Sequence, residues 1–161
     1  MEIKNKIIEF SNAHKIKIYI FVFILFVFLA LFIFLKINNE KKNILAAEKY
    51  VEAGLYLSTD RKDIAISIYE EIIFSDNKIY SILALNTVLE KNLISDNEKI
   101  LEYFRLLNES DLSNEQKELI TLKKALYLIK NSDTKNGMKL LNQLKNENSK
   151  FKQIIQDILV K

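Results

Sequence analysis

One histidine, His14, no cysteine and only two glycines, Gly54 and Gly137, are the whole stock of the residues on which enzyme sites most often depend. Without a thiol, a His-paired nucleophile or a glycine-rich loop, the common nucleophilic triads, zinc sites and phosphate cradles have nothing to be built from. The carboxylates give two further arrangements to consider. Adjacent Glu70-Glu71 and the pair Asp60/Asp63 carry the chemistry of acid–base groups or metal ligands, but charges at helix starts and on outer helix faces are ordinarily solvated. His14 sits in a basic lead and reads as a solvated residue. We therefore expect no enzyme, no metal and no cofactor.

Charge excludes a second class. Five of the 24 basic and two of the 21 acidic residues lie at or before Lys36, so the remainder carries 19 of each sign. A neutral segment with interspersed signs lacks the electrostatic footprint that nucleic acid requires. A small-molecule substrate is not expected either. What remains is recognition of other polypeptides by apolar surface.

The elements that would position such surface divide into an anchor and a domain. Ile18–Leu35, IYIFVFILFVFLALFIFL, holds no charge, amide or glycine, and sixteen of its eighteen residues are Ile, Leu, Val or Phe. As a helix it reaches about 27 Å, close to the hydrocarbon thickness of a bilayer. Inserting it gains on the order of 5 to 10 kcal/mol. A cleaved signal peptide would have a shorter apolar core followed by small residues, and a buried soluble helix would keep a polar stripe. We expect a basic N-terminal segment over 1–17, a transmembrane helix over 18–37 in contact with the bilayer through 18–35, and one helical domain over 40–161. Lysines flank the span four against four, so charge bias leaves the orientation open.

The domain has no proline, is rich in Leu, Ile, Lys and Glu, and reads as all-α. Breakers and caps divide it into seven helices. The expected bounds are about 43–58, 61–74 and 78–91, a fourth opened by the capping box Ser95-x-x-Glu98, a fifth opened by Ser113-x-x-Gln116, then about 135–145, and a last one whose narrow apolar stripe from Phe151 to Leu159 marks a cap. Two hairpins share a pattern. Ala53, Tyr56, Ala65, Tyr69 and Ile72 recur as Ala125, Leu128, Gly137, Leu141 and Leu144 with the same internal spacing, 72 residues later. Half that step is close to the ~34-residue tetratricopeptide unit, and Val88, Ile100, Phe104 and Leu107 fall at nearly matching offsets between them. Small residues at Ala53/Ala65 and Ala125/Gly137 let paired helices cross closely, and the larger residues one turn on fill the seam.

On these residues the chain resembles tetratricopeptide proteins over about Lys49–Ser149, with about three repeats and a C-terminal capping helix. The early large apolar residue of the first repeat is replaced by Lys49 and the closing proline by Asn77. The basic lead, the span and the runs AGLYLSTDRKDIAISIYEEI and KALYLIKNSDTKNGMKLLNQL are similar to the YfgM-type family, the ancillary subunit of the SecYEG translocon. That resemblance implies a bacterial inner (plasma) membrane protein with a cytoplasmic N-terminus and periplasmic repeats. It also implies translocon subunits, a periplasmic chaperone and emerging secretory chains as partners. A scaffold for assembly of another envelope complex, for example in cytochrome c biogenesis, is the alternative, and a cytoplasm-facing import receptor a third. In such a stack the first helix of each hairpin lines the concave surface, so Tyr50, Leu57, Ile82, Leu85, Leu89, Leu122, Leu126 and Ile129 are the expected groove. Either that groove is open to an apolar segment, or the terminal helix folds back and fills it.

Overall fold

The structure, a computed structural model, describes residues 15–75, 77–147 and 149–159; the basic lead with His14 lies outside them. These residues form seven helices and no strand: α1 Lys15–Ser58, α2 Lys62–Ile73, α3 Lys78–Glu90, α4 Asn97–Glu109, α5 Asn114–Lys130, α6 Thr134–Asn146 and α7 Lys152–Leu159.

The expected apolar helix and the first helix of the domain are one element. α1 runs for 44 residues. Between Leu35 and Ala53 the composition changes from apolar to charged, yet no glycine or proline interrupts it. Asn38, Asn39 and Asn43 each cost a few tenths of a kcal/mol, too little to stop propagation. The chain nonetheless divides into two compact units, 1–44 and 45–161. In the first, Ile20–Leu35 form a helix apolar on every face, with large side chains between 41% and 68% exposed, so no protein core covers them. Among the described residues, one helix is thus long and apolar enough to cross a membrane.

The second unit is built from repeated local decisions. Three first-helix ends close with the same bond: Arg61 N–H to Tyr56 O at 2.9 Å, Leu93 N–H to Val88 O at 3.0 Å, and Asp133 N–H to Leu128 O at 2.9 Å. Just before each donor the backbone turns left-handed, at Asp60 (φ 60°), Asn92 (φ 47°) and Ser132 (φ 71°). This is the Schellman termination, with short polar residues taking the position glycine usually holds. The first and third of these turns stand 72 residues apart, as the sequence spacing requires, but the middle one falls 32 after the first and 40 before the third. The connection from Glu90 to Asn97 is correspondingly longer than those from Ser58 to Lys62 and from Lys130 to Thr134.

New hairpins and the second helices α4 and α6 start on side-chain caps, whereas α2 starts at Arg61 without one. Asn77 accepts from Tyr80 N, and Ser113 and Gln116 form the expected reciprocal box at 3.0 and 3.3 Å. The expected Ser95–Glu98 box is corrected. Asp96 is the cap, accepting from Glu98 N at 2.9 Å and Lys99 N at 3.2 Å, because its carboxylate reaches both orphan amides where a serine reaches one.

Two apolar clusters result. The larger joins Ala53, Ala65, Tyr69 and Ile72 to Leu85, Val88, Ile100, Tyr103, Phe104 and Ile120. The smaller holds Leu122, Ala125, Leu141, Leu144 and, from α7, Ile155. All the expected repeat-packing positions are buried except Tyr56, which is half-buried beneath the Arg61 guanidinium at 4.4 Å. The α5/α6 crossing is so tight that a Cβ on Gly137 would stand 2.7 Å from the Ala125 carbonyl oxygen and 2.5 Å from Ile129 Cγ1. α7 closes this end. Ser149 Oγ and the Lys150 amide both donate to Glu118, at 2.7 and 3.2 Å, which fixes the entry to the terminal helix.

Candidate functional site

The carboxylates weighed for chemistry do not converge. Asp60 sits in the left-handed turn and pairs with Lys62 at 3.4 Å, while Asp63 lies in the first turn of α2, where a negative charge complements the helix N-terminus. Glu70 and Glu71 project in different directions, as neighbours on a helix must. Neither is a merely solvated residue. Glu71 pairs with Lys49 of α1, and Glu70, half-buried, pairs with Lys99 and accepts from Tyr103 Oη at 2.6 Å across the α2/α4 seam. Among the described residues no group of three or more His, Asp or Glu side chains is arranged to hold a metal ion.

The eight expected groove residues separate. Leu85 is fully buried, and Ile82 and Leu122 are nearly so; these three are core and line no open surface. Tyr50 belongs to an aromatic seam, bonding Thr87 Oγ1 at 2.8 Å with its ring 5.7 Å from Tyr69 and 5.9 Å from Tyr80. Leu57 packs against the larger cluster and Ile129 against the smaller. The correction has a simple cause: Ile82 and Leu85 pack into the larger cluster with residues of α2 and α4, and Leu122 into the smaller with residues of α6 and α7, and burial there is worth more than lining a solvent-filled channel. The terminal helix does not fill the whole line either. Its Ile155 shares the smaller cluster with Leu122, against which Ile129 also packs, and none of the other expected groove residues belongs to that cluster.

Leu89 and Leu126 remain, and they do come together. With Ile94 and Tyr127 they line a cleft of about 490 Å³ between the C-terminal halves of α3 and α5, to which the long α3–α4 connection also contributes. That volume lies within the usual range for ligand-binding clefts. Leu126 is 40% exposed. Tyr127 is fixed from two sides, its ring 5.9 Å from Phe104 and its hydroxyl donating to Asn97 Oδ1 at 2.6 Å. Burial, and next the Asp96 charge, push its phenol above the usual tyrosine range, so it stays a neutral donor. Lys123 and Lys130 bound the apolar floor along α5, and Glu90, Asn92 and Asn131 complete the rim. Lys130 Nζ reaches Asn92 Oδ1 at 3.2 Å; Lys123 forms no ion pair among the described residues.

Sequence reasoning named Leu89 and Leu126 but missed Ile94, Tyr127 and both lysines. The spacing Lys123, Leu126, Tyr127, Lys130, at i, i+3, i+4 and i+7, was a usable signal for one helix face. Ile94 carried none, since it enters from an irregular connection. No family model, curated protein or solved structure matches this chain.

Proposed function

We propose that this chain is a single-pass membrane protein whose tetratricopeptide-like domain docks polypeptide partners at the membrane, with the α3/α5 cleft as the docking site. The observation that carries the reading is the cleft itself: apolar side chains edged by polar ones, on a helical frame. The uncovered apolar half of α1 supports the anchor, which would hold the domain at high local concentration beside membrane partners, so that weak contacts suffice. The three identically closed hairpins support a repeat architecture of the tetratricopeptide kind. The likeness of two sequence runs to the YfgM-type family makes the Sec translocon, a periplasmic chaperone and emerging secretory chains the proposed partners. It also makes the bacterial inner membrane, with the domain periplasmic, the proposed location.

The test is cross-linking in native membranes followed by purification of the tagged, full-length chain, beside a Leu126→Glu variant of unchanged helicity. Translocon subunits recovered with the wild type and lost with the variant support the reading. Recovery of a different envelope complex, with no translocon component, replaces the translocon assignment with an assembly scaffold. Identical recovery with both proteins removes the cleft from the account.

A further inference from the structure

The rim of the cleft is built asymmetrically. Its two cations lie on one helix, seven residues and therefore about 10 Å apart, with Leu126 and Tyr127 between them. Its one carboxylate, Glu90, stands on the opposite wall and pairs with neither lysine among the described residues. The amides at the edge are half used. Asn92 and Asn97 spend their oxygens on Lys130 and Tyr127, which leaves N–H donors, while Asn131 spends its amide on the Tyr127 carbonyl at 2.8 Å, which leaves an oxygen acceptor. Donors and an acceptor at the edge suit the polar side chains of a segment whose apolar ones lie on Leu89 and Leu126.

We infer that the cleft is selective for an acidic–apolar polypeptide segment, one that presents apolar side chains to Leu89 and Leu126 and carboxylates about 10 Å apart to Lys123 and Lys130. A helix supplies that separation with Asp or Glu at i and i+7 and apolar residues at i+3 and i+4. The inference rests on the docking reading above and adds the class of partner. Charge steers the encounter and sets selectivity, and the apolar floor supplies the hold.

The experiment uses the full-length protein in nanodiscs and a labelled helical peptide with Glu at i and i+7, Leu at i+3 and i+4, and an Ala/Gln background, read by fluorescence anisotropy. Binding should weaken on the order of tenfold when both glutamates become glutamine, and again with Lys123→Glu/Lys130→Glu protein. A peptide with lysines in place of the glutamates should bind that double variant better than it binds wild type, a rescue that a misfolded protein cannot produce. Glu90→Gln should tighten the acidic peptide by about threefold, since it removes a like charge. Equal affinity for the acidic, neutral and basic peptides, or no binding by any of them, overturns the inference. Should the acidic peptide fail while Leu126→Glu still abolishes cross-linking in membranes, the partner's charge class is wrong and the docking site stands.

Discussion

Gly137 faces the Ala125 carbonyl across the α5/α6 crossing with no room for a side chain, since an added Cβ would lie 2.7 Å from that oxygen. In an exposed helix interior, replacing glycine by alanine gains up to about 1 kcal/mol. Here the backbone oxygen cannot yield, and the helices must separate. Gly137→Ala should therefore destabilise the protein by about 1–3 kcal/mol. Gly54 provides the contrast: a Cβ there meets only Tyr69 Oη at 3.9 Å. Gly54→Ala should stabilise by about 0.5–1 kcal/mol. Chemical denaturation of both variants, followed by circular dichroism, tests the pair, and the same sign for both would refute the packing account.

The α2/α4 seam makes stability depend on alkaline pH. Burial, then the hydrogen bond to Glu70 and that carboxylate's charge, hold the Tyr103 phenol far above the ordinary value of 10.0. A group whose pKa is raised by folding contributes in full below its unfolded value and loses that contribution as pH climbs above it. Stability should fall above about pH 10, where only the unfolded chain releases this proton. Tyr103→Phe should cost about 1.5–3 kcal/mol at neutral pH and give a flatter alkaline limb. A wild-type limb as flat as the variant's would count against the bond.

Leu85 and Leu126, both expected in one groove from the sequence, should behave oppositely. Leu85→Ala opens a cavity in a fully buried site and should cost about 2–5 kcal/mol, with partner capture reduced in proportion to the folded fraction. Leu126→Ser should change stability by under about 1 kcal/mol while abolishing capture. Thermal melts and cross-linking yields on the same preparations separate the two effects.

What the sequence made readable follows from the kind of information each feature needs. The α5/α6 hairpin could be read from Ala125, Gly137 and Leu141, because small and large residues at helical spacing define a close crossing whatever surrounds it. Ser113 and Gln116 marked a helix start through chemistry confined to one turn. The middle hairpin was harder to place. Its turn at Asn92 comes early and Leu93–Asp96 lengthen the connection, which shifts α3 and α4 against the 72-residue step. The continuity of α1 was hidden because polarity changes at Lys36 while helix propensity does not. Periodicity put Leu85 and Leu126 on apolar faces, but it does not say whether such a face meets another helix or water. That depends on how neighbouring helices rotate against one another, and it is why only Leu89 and Leu126 of the expected groove line the cleft.

Orientation is open to a direct chemical test. Lys135 is exposed in the first turn of α6 and the chain has no native cysteine, so Lys135→Cys gives one reactive thiol on the domain. With the domain outside the cytoplasm, as proposed, an impermeant maleimide should label it in intact spheroplasts. Labelling only after lysis would place the domain in the cytoplasm and exclude a periplasmic chaperone as its partner.

Site-specific photo-cross-linking in native membranes shows most directly whether partners dock at the α3/α5 cleft. A benzophenone amino acid would be placed at Leu126, in the cleft lining, and in a second protein at Lys139, exposed on α6. Discrete protein adducts from position 126 that are absent from position 139, and that fade with Lys123→Glu/Lys130→Glu in the same chain, are the predicted result. No adduct at 126, or the same adducts from both positions, would contradict it.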